Sequence, residues 1–449
     1  MLEQVNAEYQ QLLAREPEKY NQDFKRVCKE LGEEEIYYNG EVIPILYQPL
    51  FFGQKAIDNF NKLVNGLGSI LKKVIDRYLI DEDFRSYFGF SQKLEELILM
   101  DPGYNNPVPM GRFDIFYYGQ GNFKFCELNA DGSSGMVKTN TLEEIFLQSA
   151  GIQDLTQKHG YDFSYHELLQ SWIDTMLNNY EKFDSDIVKP NIAIMDFNNL
   201  GMVSEFEYFK ELLTEQGYEV VIVDPRELEY NEDKLYYQET RIDLIYRRAV
   251  TTDIMKRYSE VKDLLKAYQD QAVCIVGSFR SQIIHNKIIF AILHDEEKTN
   301  FLNENDREFI NKYIPKTDII SSNKEKLEHI RRNREGLVLK PLDFYGATGV
   351  HIGCDLTQDE WGERLNGIKP GEYLVQEFCR IPEEDMVVFD NNQLKIESFK
   401  YTLGLFAYDL SFAGIYTRAG KENLIASSTG CVTLPNLILD EGYTYSNKE

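Results

Sequence analysis

The stretch GRFDI occupies residues 111–115, and the stretch FCELNADGSSG follows at residues 125–135. The apolar residues of both stretches indicate β-strands, and the turn-rich YGQGN between them predicts a hairpin. Because side chains alternate along a strand, each strand presents two polar residues on one face. We therefore expect a hairpin with one polar face, made of Arg112, Asp114, Glu127 and Asn129.

Such a face suits a magnesium ion beside phosphate. The two carboxylates of Asp114 and Glu127 and the amide oxygen of Asn129 are hard donors of the kind that Mg²⁺ takes, and a guanidinium such as that of Arg112 holds phosphoryl oxygens. The alternative is a solvent-facing strand with ordinary charges. Alternation turns Cys126 away from this face, so we interpret its thiol as part of the core.

A second informative segment is GLVLKP at residues 336–341, an apolar strand that ends in a lysine. The Lys340 ammonium is costly among apolar side chains unless an anion meets it. Beyond it, the glycines and Thr348 of the segment up to Gly349 let the backbone approach phosphate oxygens and donate N–H groups to them. The alternative for this segment is an ordinary hairpin turn.

Further on, YLVQEF at residues 373–378 predicts another strand. Gln376 and Glu377 within it could offer hydrogen bonds to the edge of an adenine. Each motif is weak alone, and their order and spacing together are more specific.

In that order and spacing the motifs resemble the ATP-grasp superfamily, in the circularly permuted arrangement of glutathionylspermidine synthetase. The resemblance runs from about residue 110 to residue 418 and includes IDLIYRR at residues 242–248. It implies an ATP-binding, Mg²⁺-dependent site with these roles: Arg112 on the transferring phosphoryl group; Asp114, Glu127 and Asn129 on Mg²⁺; Lys287 and Lys340 on the ATP phosphates; and Gly346, Ala347, Thr348 and Gly349 as a loop over the nucleotide. Arg418 resembles the family's C-terminal arginine near the phosphates or the acyl substrate.

The loop departs from the pattern of related synthetases at one position. They carry an acidic residue just before the first glycine, whereas this chain has Phe344 and Tyr345 there. Asp343 is therefore the candidate for a carboxylate in this loop.

The sequence predicts an α/β fold of ATP-grasp architecture with four segments. Residues 1–100 form a helical N-terminal region that includes a long amphipathic helix at 60–78, and residues 101–185 form the metal- and substrate-site segment. Residues 186–285 form a Rossmann-like parallel-sheet domain, because strand, helix and strand alternate there. Residues 286–449 hold the ATP-binding lobes and a C-terminal segment.

Three smaller features carry expectations of their own. The loop at 196–201 follows the first strand of the parallel sheet, where such sheets bind ligands. Arg247 and Arg248 end another strand and could clamp a substrate carboxylate, although alternation points only one of them into a cleft, and a surface ion pair is the alternative. The polar tail from Asp440 should be poorly ordered.

Charge and composition narrow the function. The chain has 449 residues and a net charge of −26, which argues against a nucleic-acid partner because phosphate backbones need a basic surface. The acidity could steer a cationic amine substrate or could simply keep the protein soluble. We find neither an apolar run long enough for a membrane span nor a signal peptide, and the six cysteines form no Cys-x-x-Cys pair. These features predict a cytoplasmic protein.

We therefore predict an ADP-forming carboxylate–amine ligase that works through an acyl phosphate. Its substrates would be a small acid and an amine, drawn from amino acids, short peptides or polyamines. A phosphotransferase with the same nucleotide site and a non-catalytic nucleotide-binding protein are the alternatives. The oligomeric state is left open.

Overall fold

The computed structural model describes residues 2–38, 41–184, 186–198, 200, 203–344, 346–390, 393–426 and 429–440. The tail beyond Asp440 and positions 199 and 201 of the expected ligand loop lie outside the described residues. Helices and strands are mixed throughout, which confirms the predicted α/β class. The four segment boundaries predicted from the sequence stay predictions.

The N-terminal hundred residues are mostly helical, as expected. Their elements are α1 Leu2–Arg15, α2 Pro17–Glu33, β1 Tyr37–Tyr38, β2 Glu41–Val42, β3 Leu50–Gly53, α3 Gln54–Ile80, α4 Glu82–Ser86 and α5 Gln92–Leu99. Helix α3 contains the predicted helix and starts six residues before it. Its apolar residues recur every three or four positions, so they form one stripe that packs on the central sheet.

The remaining elements alternate between strands and helices. From residue 110 to 184 they are β4 Met110–Tyr117, β5 Phe123–Asn129, α6 Met136–Leu147, α7 Ala150–His159, β6 Phe163–Ser164 and α8 Leu169–Phe183. The next group is β7 Ile192–Met195, α9 Val203–Glu215, β8 Val220–Val223, β9 Leu228–Asn231, β10 Lys234–Tyr237, β11 Thr240–Ile242, β12 Leu244–Arg247, α10 Thr251–Lys256, α11 Lys262–Gln269, β13 Cys274–Val276 and α12 Gln282–His285. The last group is α13 Ile288–His294, α14 Glu304–Tyr313, β14 Thr317–Ile319, α15 Lys324–Arg332, β15 Leu337–Pro341, β16 His351–Ile352, α16 Gln358–Gly367, β17 Tyr373–Glu377, β18 Glu383–Asp390, β19 Gln393–Tyr408, β20 Ser411–Gly420, β21 Val432–Leu434 and β22 Asn436–Leu439.

The central sheet is antiparallel, with the strand order β21-β20-β19-β4-β5 and with β18 paired to the first half of β19. The predicted hairpin therefore forms one side of this sheet. The long strands β19 and β20 follow β4 in this sheet, and β20 places Arg418 on the same side as the hairpin's polar residues. A separate sheet, β13-β12-β7-β8, is parallel throughout, which confirms the Rossmann-like unit.

A third sheet, β14-β17-β15-β16, carries Lys340 and has its own small core. That core contains Ile320, Ile330, Leu339, Trp361, Leu365 and Val375. Trp361 is fully buried, and its indole N–H donates to the carbonyl of Ile330 at 3.1 Å. This lobe, residues 317–377, therefore rests on a cluster that is distinct from the two large cores.

We expect Trp361→Ala to destabilise the protein by about 3–5 kcal/mol, because a large buried side chain leaves a cavity and the Ile330 carbonyl loses its donor. Hydrogen exchange should accelerate mainly within residues 317–377. Trp172→Ala removes the chain's other tryptophan, which is buried in a different cluster, and serves as the control. The idea of a separate lobe core fails if both variants accelerate exchange in the same segments.

Candidate active site

The hairpin pairs its polar residues in register. Strands β4 and β5 are antiparallel, with Asp114 opposite Glu127 and Arg112 opposite Asn129. Opposed residues of an antiparallel pair project to the same face. The structure therefore brings together the four residues that the sequence placed on one face.

The pairing contains a β-bulge that the sequence did not reveal. Ile115 pairs with Phe125 and Asp114 pairs with Glu127, so Cys126 is an extra residue without a partner. A bulge interrupts alternation, and Cys126 accordingly lines the large cavity beside the hairpin. The prediction that Cys126 belongs to the core is wrong for this reason. Burial raises the pKa of its thiol.

Asp114 is a buried carboxylate held by two arginines. Its Oδ1 accepts from Arg112 Nε at 3.1 Å, and its Oδ2 accepts from Arg418 at 2.7 Å and, more weakly, from Asn129 at 3.4 Å. Arg112 also donates to the carbonyl of Ser134 at 2.9 Å. This double ion pair fixes both predicted catalytic arginines beside the predicted metal ligands.

Gly404 makes the double ion pair sterically possible. It lies on β19, between Asp114 on one neighbouring strand and Tyr416 on the other. A Cβ at this position would lie 2.8 Å from Arg112 Cδ and 3.0 Å from Asp114 Oδ1. The missing side chain therefore leaves the space in which the arginine and the carboxylate meet.

Glu127 is paired with the predicted phosphate-binding Lys287. The two charged groups are 2.7 Å apart, and the Lys287 ammonium also donates to the carbonyl of Phe344 at 2.8 Å. Burial would raise the pKa of Glu127, but Lys287, with help from Lys340, lowers it to about 2. Glu127 is therefore fully ionised at neutral pH.

Lys340 has a different environment from the other cations of the site. Its ammonium donates to the carbonyl of Cys126 at 2.9 Å and to Gln376 Oε1 at 2.7 Å. No carboxylate within the described ranges forms an ion pair with it. A half-buried ammonium that is hydrogen-bonded only to neutral groups has no ion-pair partner of its own, so it favours an anion nearby.

The structure uses Gln376 in a different way from that expected. Its side chain is buried and accepts from Lys340 while donating to Thr317 Oγ1 at 2.9 Å. Gln376 therefore orients the lysine. Glu377 follows it in the cavity wall with an exposed side chain. The adenine contacts predicted for both residues stay predictions.

Three residues of the glycine loop have a left-handed backbone. Gly346, Ala347 and Gly349 have φ values of 66°, 61° and 75°, in the left-handed region that glycine enters easily. Asp343 precedes this turn and accepts from Gln282 at 3.1 Å and from Thr252 at 3.4 Å. The loop is thereby tied to the parallel-sheet unit, and in this arrangement the Asp343 carboxylate holds the loop itself.

The predicted residues line one cavity of about 610 Å³, with the exception of Thr348 and Gly349. Side chains that the sequence analysis did not select complete its wall, among them Lys138, His285 and Tyr416, together with the segment from Asn423 to Ala426. The segment after Lys421 has no periodic pattern, so nothing in the sequence marked it. His285 has a lowered pKa, chiefly because of burial, and its Nδ1 has no hydrogen-bond partner among the described residues.

The adjacent residues Arg247 and Arg248 point in different directions, as alternation along a strand predicts. Arg247 turns inward to Asp131 at 2.7 Å, whereas Arg248 lines the cavity and is paired with the buried Glu205 at 3.1 Å. Arg248 also donates to the carbonyl of Ser133. Neither pair is at the surface, so the surface ion pair is excluded, and binding of a substrate carboxylate by Arg248 stays a prediction.

The hairpin presents three side chains whose oxygen atoms could hold a magnesium ion. Among the described residues, no group of three or more His, Cys, Asp and Glu side chains is arranged to hold a metal. Asp114, Glu127 and Asn129 are instead two carboxylates and one amide, all on one face and all oxygen donors. This set fits Mg²⁺ by donor chemistry, with phosphate oxygens and water as its remaining ligands.

The protein thus has a mixed α/β fold and a cavity in which clustered cations adjoin paired carboxylates. Comparison of the chain with known protein families identifies its family. The chain belongs to the family described as glutathionylspermidine synthase preATP-grasp, whose model matches residues 23–432. This match confirms the resemblance predicted from the motifs.

Solved structures that resemble the chain include a RimK domain protein ATP-grasp from Sphaerobacter thermophilus, at 15% identity over 54% of this chain and 89% of that one, with a TM-score of 0.29. D-alanyl-alanine synthetase A from Vibrio cholerae matches at 9% identity over 56% and 88%, with a TM-score of 0.29. D-cycloserine synthetase DcsG matches at 9% identity over 56% and 91%, with a TM-score of 0.27. Among curated proteins, no match is found.

We expect Gly404→Ala to destabilise the protein by about 1–3 kcal/mol, because the new methyl group meets Arg112 and Asp114 at less than contact distance. Thermal unfolding measures this change. Gly367→Ala is the control, since a Cβ there meets nothing within 4 Å. Equal melting temperatures for the two variants would contradict the steric argument.

For Lys340→Met we expect loss of most of the stabilisation by Mg-ATP. Ligand at a hundredfold excess over its dissociation constant should stabilise the wild type by about 2.7 kcal/mol. The comparison uses the ligand-induced shift in melting temperature, because the substitution also removes a donor from Cys126 and Gln376. Lys72→Met, on the exposed side of α3, should keep the full shift. An undiminished shift in Lys340→Met would refute the role of Lys340 in phosphate binding.

Proposed function

We propose that the protein is an ATP-dependent carboxylate–amine ligase that forms ADP and works through an acyl phosphate. The observation that carries the proposal is the charge arrangement in the cavity. Arg112 and Arg418 share one carboxylate, Lys287 pairs with another, and Lys340 has only neutral partners. At this end of the cavity four cations thus meet two carboxylates, and that local excess of positive charge suits a polyphosphate, although the chain as a whole carries −26.

The Lys340 side of the cavity suits the nucleotide. Its wall includes the apolar side chains of Phe116, Val338, Ile352, Phe378 and Ile381, which could cover an adenine. The glycine loop adjoins the same side and could offer N–H groups to the phosphates. We propose that ATP lies along this wall with its phosphates toward the arginines.

The chain's own residues would then hold and neutralise the reacting groups. A bound Mg²⁺, held by Asp114, Glu127 and Asn129, would offset charge on the phosphate oxygens. Lys287 and Lys340 would hold the phosphates, and Arg112 and Arg418 would stabilise the charge on the phosphoryl group as it moves to the acid. The loop at 343–349 would keep water from the acyl phosphate.

Both substrates would enter beyond the arginines, where Arg248 lines the cavity together with Asp196 and Asp253. A guanidinium can hold a carboxylate and a carboxylate can hold an ammonium, so this part suits small molecules that carry both groups.

No helix of the described chain has the length and apolar character needed to cross a membrane. We also propose a cytoplasmic location, where ATP is available and where the chain's six free thiols would stay reduced.

The proposal is tested by trapping the intermediate. With Mg-ATP, hydroxylamine and pools of amino acids and short peptides, the wild type should release ADP and form a hydroxamate. Glu127→Gln should lose this activity by roughly a hundredfold or more, because it removes a charge and alters a metal donor. Glu363→Gln, exposed on α16, should keep it.

The outcomes separate the competing functions. A phosphorylated product without hydroxamate would favour a phosphotransferase. Nucleotide binding without ADP formation, across all pools, would favour a non-catalytic nucleotide-binding protein. Full activity in Glu127→Gln would contradict the assigned metal site.

A further inference from the structure

Tyr416 is a cavity residue that the proposed phosphoryl transfer does not use. It lies on β20 two residues before Arg418, so both side chains project to the same face of the central sheet. Tyr416 is 4% exposed and contributes to the cavity wall. Its phenol is therefore shielded from bulk water and still adjoins the space that holds the reacting groups.

Three cations from three different elements surround the Tyr416 ring. Lys138 Nζ of α6 lies 4.6 Å from the ring centroid, Arg112 Cζ of β4 lies 5.2 Å from it, and Arg418 Cζ of β20 lies 5.8 Å from it. Asp114 is ion-paired with both arginines and offsets part of their charge.

This environment favours a negative charge on the phenolic oxygen. Burial alone would raise the pKa of Tyr416, but Lys138, Arg418 and Arg112 together lower it below the ordinary value. The sheet offers a direct contrast. Tyr401 and Tyr408 lie on the neighbouring strand β19, and burial raises the pKa of each.

The other ionisable groups at the arginines are poorly suited to take up a proton. Asp114 is occupied by two guanidiniums, and the pKa of Glu127 is held at about 2. His285 also lines the cavity, but burial lowers its pKa, and its charged neighbours are Asp131, Lys287, Asp343 and Glu127, not the arginines beside Tyr416.

We propose that Tyr416 is a further catalytic residue, the acceptor of the proton that the attacking amine must lose. This inference rests on the proposed ligase function. An ammonium N–H bond breaks as its proton passes to the Tyr416 phenolate, and the electron pair left on nitrogen forms the new C–N bond. The C–O bond to phosphate then breaks, its electron pair leaves with phosphate, and phosphate takes the second proton from the nitrogen of the new amide. Tyr416 then returns its proton to water, so that the ammonium and the acyl phosphate give the amide, hydrogen phosphate and one proton.

The first test observes the phenol directly and needs no substrate. In protein labelled at tyrosine Cζ with ¹³C, the resonance that disappears in Tyr416→Phe should titrate below the ordinary tyrosine pKa of about 10. Lys138→Met should move that titration to higher pH, because a cation that favours the phenolate is lost. A resonance that titrates at or above the ordinary value would overturn the inference, whatever the protein's activity.

The second test compares two nucleophiles on the acid that supports hydroxamate formation. A protonated amine from the amino acid and polyamine pool must lose its proton, whereas hydroxylamine is unprotonated at neutral pH. Tyr416→Phe should slow amide formation roughly a hundredfold or more, since general base catalysis contributes about 10²–10⁴ in rate. Hydroxamate formation should fall by no more than about threefold. In this variant the rate of the remaining amide formation should no longer increase over the pH range in which the Tyr416 phenol of the wild type ionises.

The matched control is Tyr401→Phe, which removes a phenol from the same sheet outside the cavity wall. It should leave both reactions unchanged. Equal losses with both nucleophiles in Tyr416→Phe would show a structural role and overturn the inference. A wild type that forms no hydroxamate with any acid would instead refute the ligase function. The NMR titration would still decide whether the pKa of Tyr416 is lowered, because it needs no substrate.

Discussion

The buried carboxylate of Asp114 is the constraint on which the site depends. An ionised carboxylate away from water is costly unless charged donors meet it, and here two arginines from different strands do so. Strands β4 and β20 are not neighbours, so their side chains can meet only across β19. Gly404 lies at the crossing point, and its lack of a side chain lets the ion pairs form. The absence of a side chain at this one position thus allows the hairpin and β20 to share an ion pair across β19.

The bulge at Cys126 links the central sheet to the lobe that carries Lys340. An extra residue in β5 frees a carbonyl from the strand ladder, and the lysine ammonium takes that carbonyl as a partner. The opposite side of the ammonium is held by Gln376, which Thr317 holds in turn. The lysine is therefore oriented by neutral oxygens and keeps its charge for a ligand. A carboxylate in place of either partner would have weakened that attraction.

Much of this arrangement follows from the sequence. Alternation placed Arg112 with Asp114 and Glu127 with Asn129, and the bulge at Cys126 brings these two pairs to one face. Without the bulge, the register set by the hairpin turn would place Asp114 opposite Cys126. Apolar periodicity predicted α3, and the alternation of strand, helix and strand predicted the parallel sheet. The bulge was not predicted because no glycine or proline marks it in the sequence. The predicted orientation of Cys126 was therefore wrong. Tyr416 and Lys138 were missed for a different reason, since their roles arise only from strand and helix neighbours far apart in the chain. The stretch from Asn423 to Ala426 was also missed, because its sequence has no apolar period that would predict an element.

The pairing of β3 with β22 has a consequence for how the protein folds. These parallel strands join Leu50 to Asn436, and β6 pairs with the other side of β22. Three segments that are distant in sequence must therefore meet before this sheet exists. During synthesis, the apolar side chains of β3 have no sheet partner until nearly four hundred further residues have been made. Contacts between segments so distant in sequence slow folding, and the N-terminal segments remain without this sheet partner until the last strand has been made.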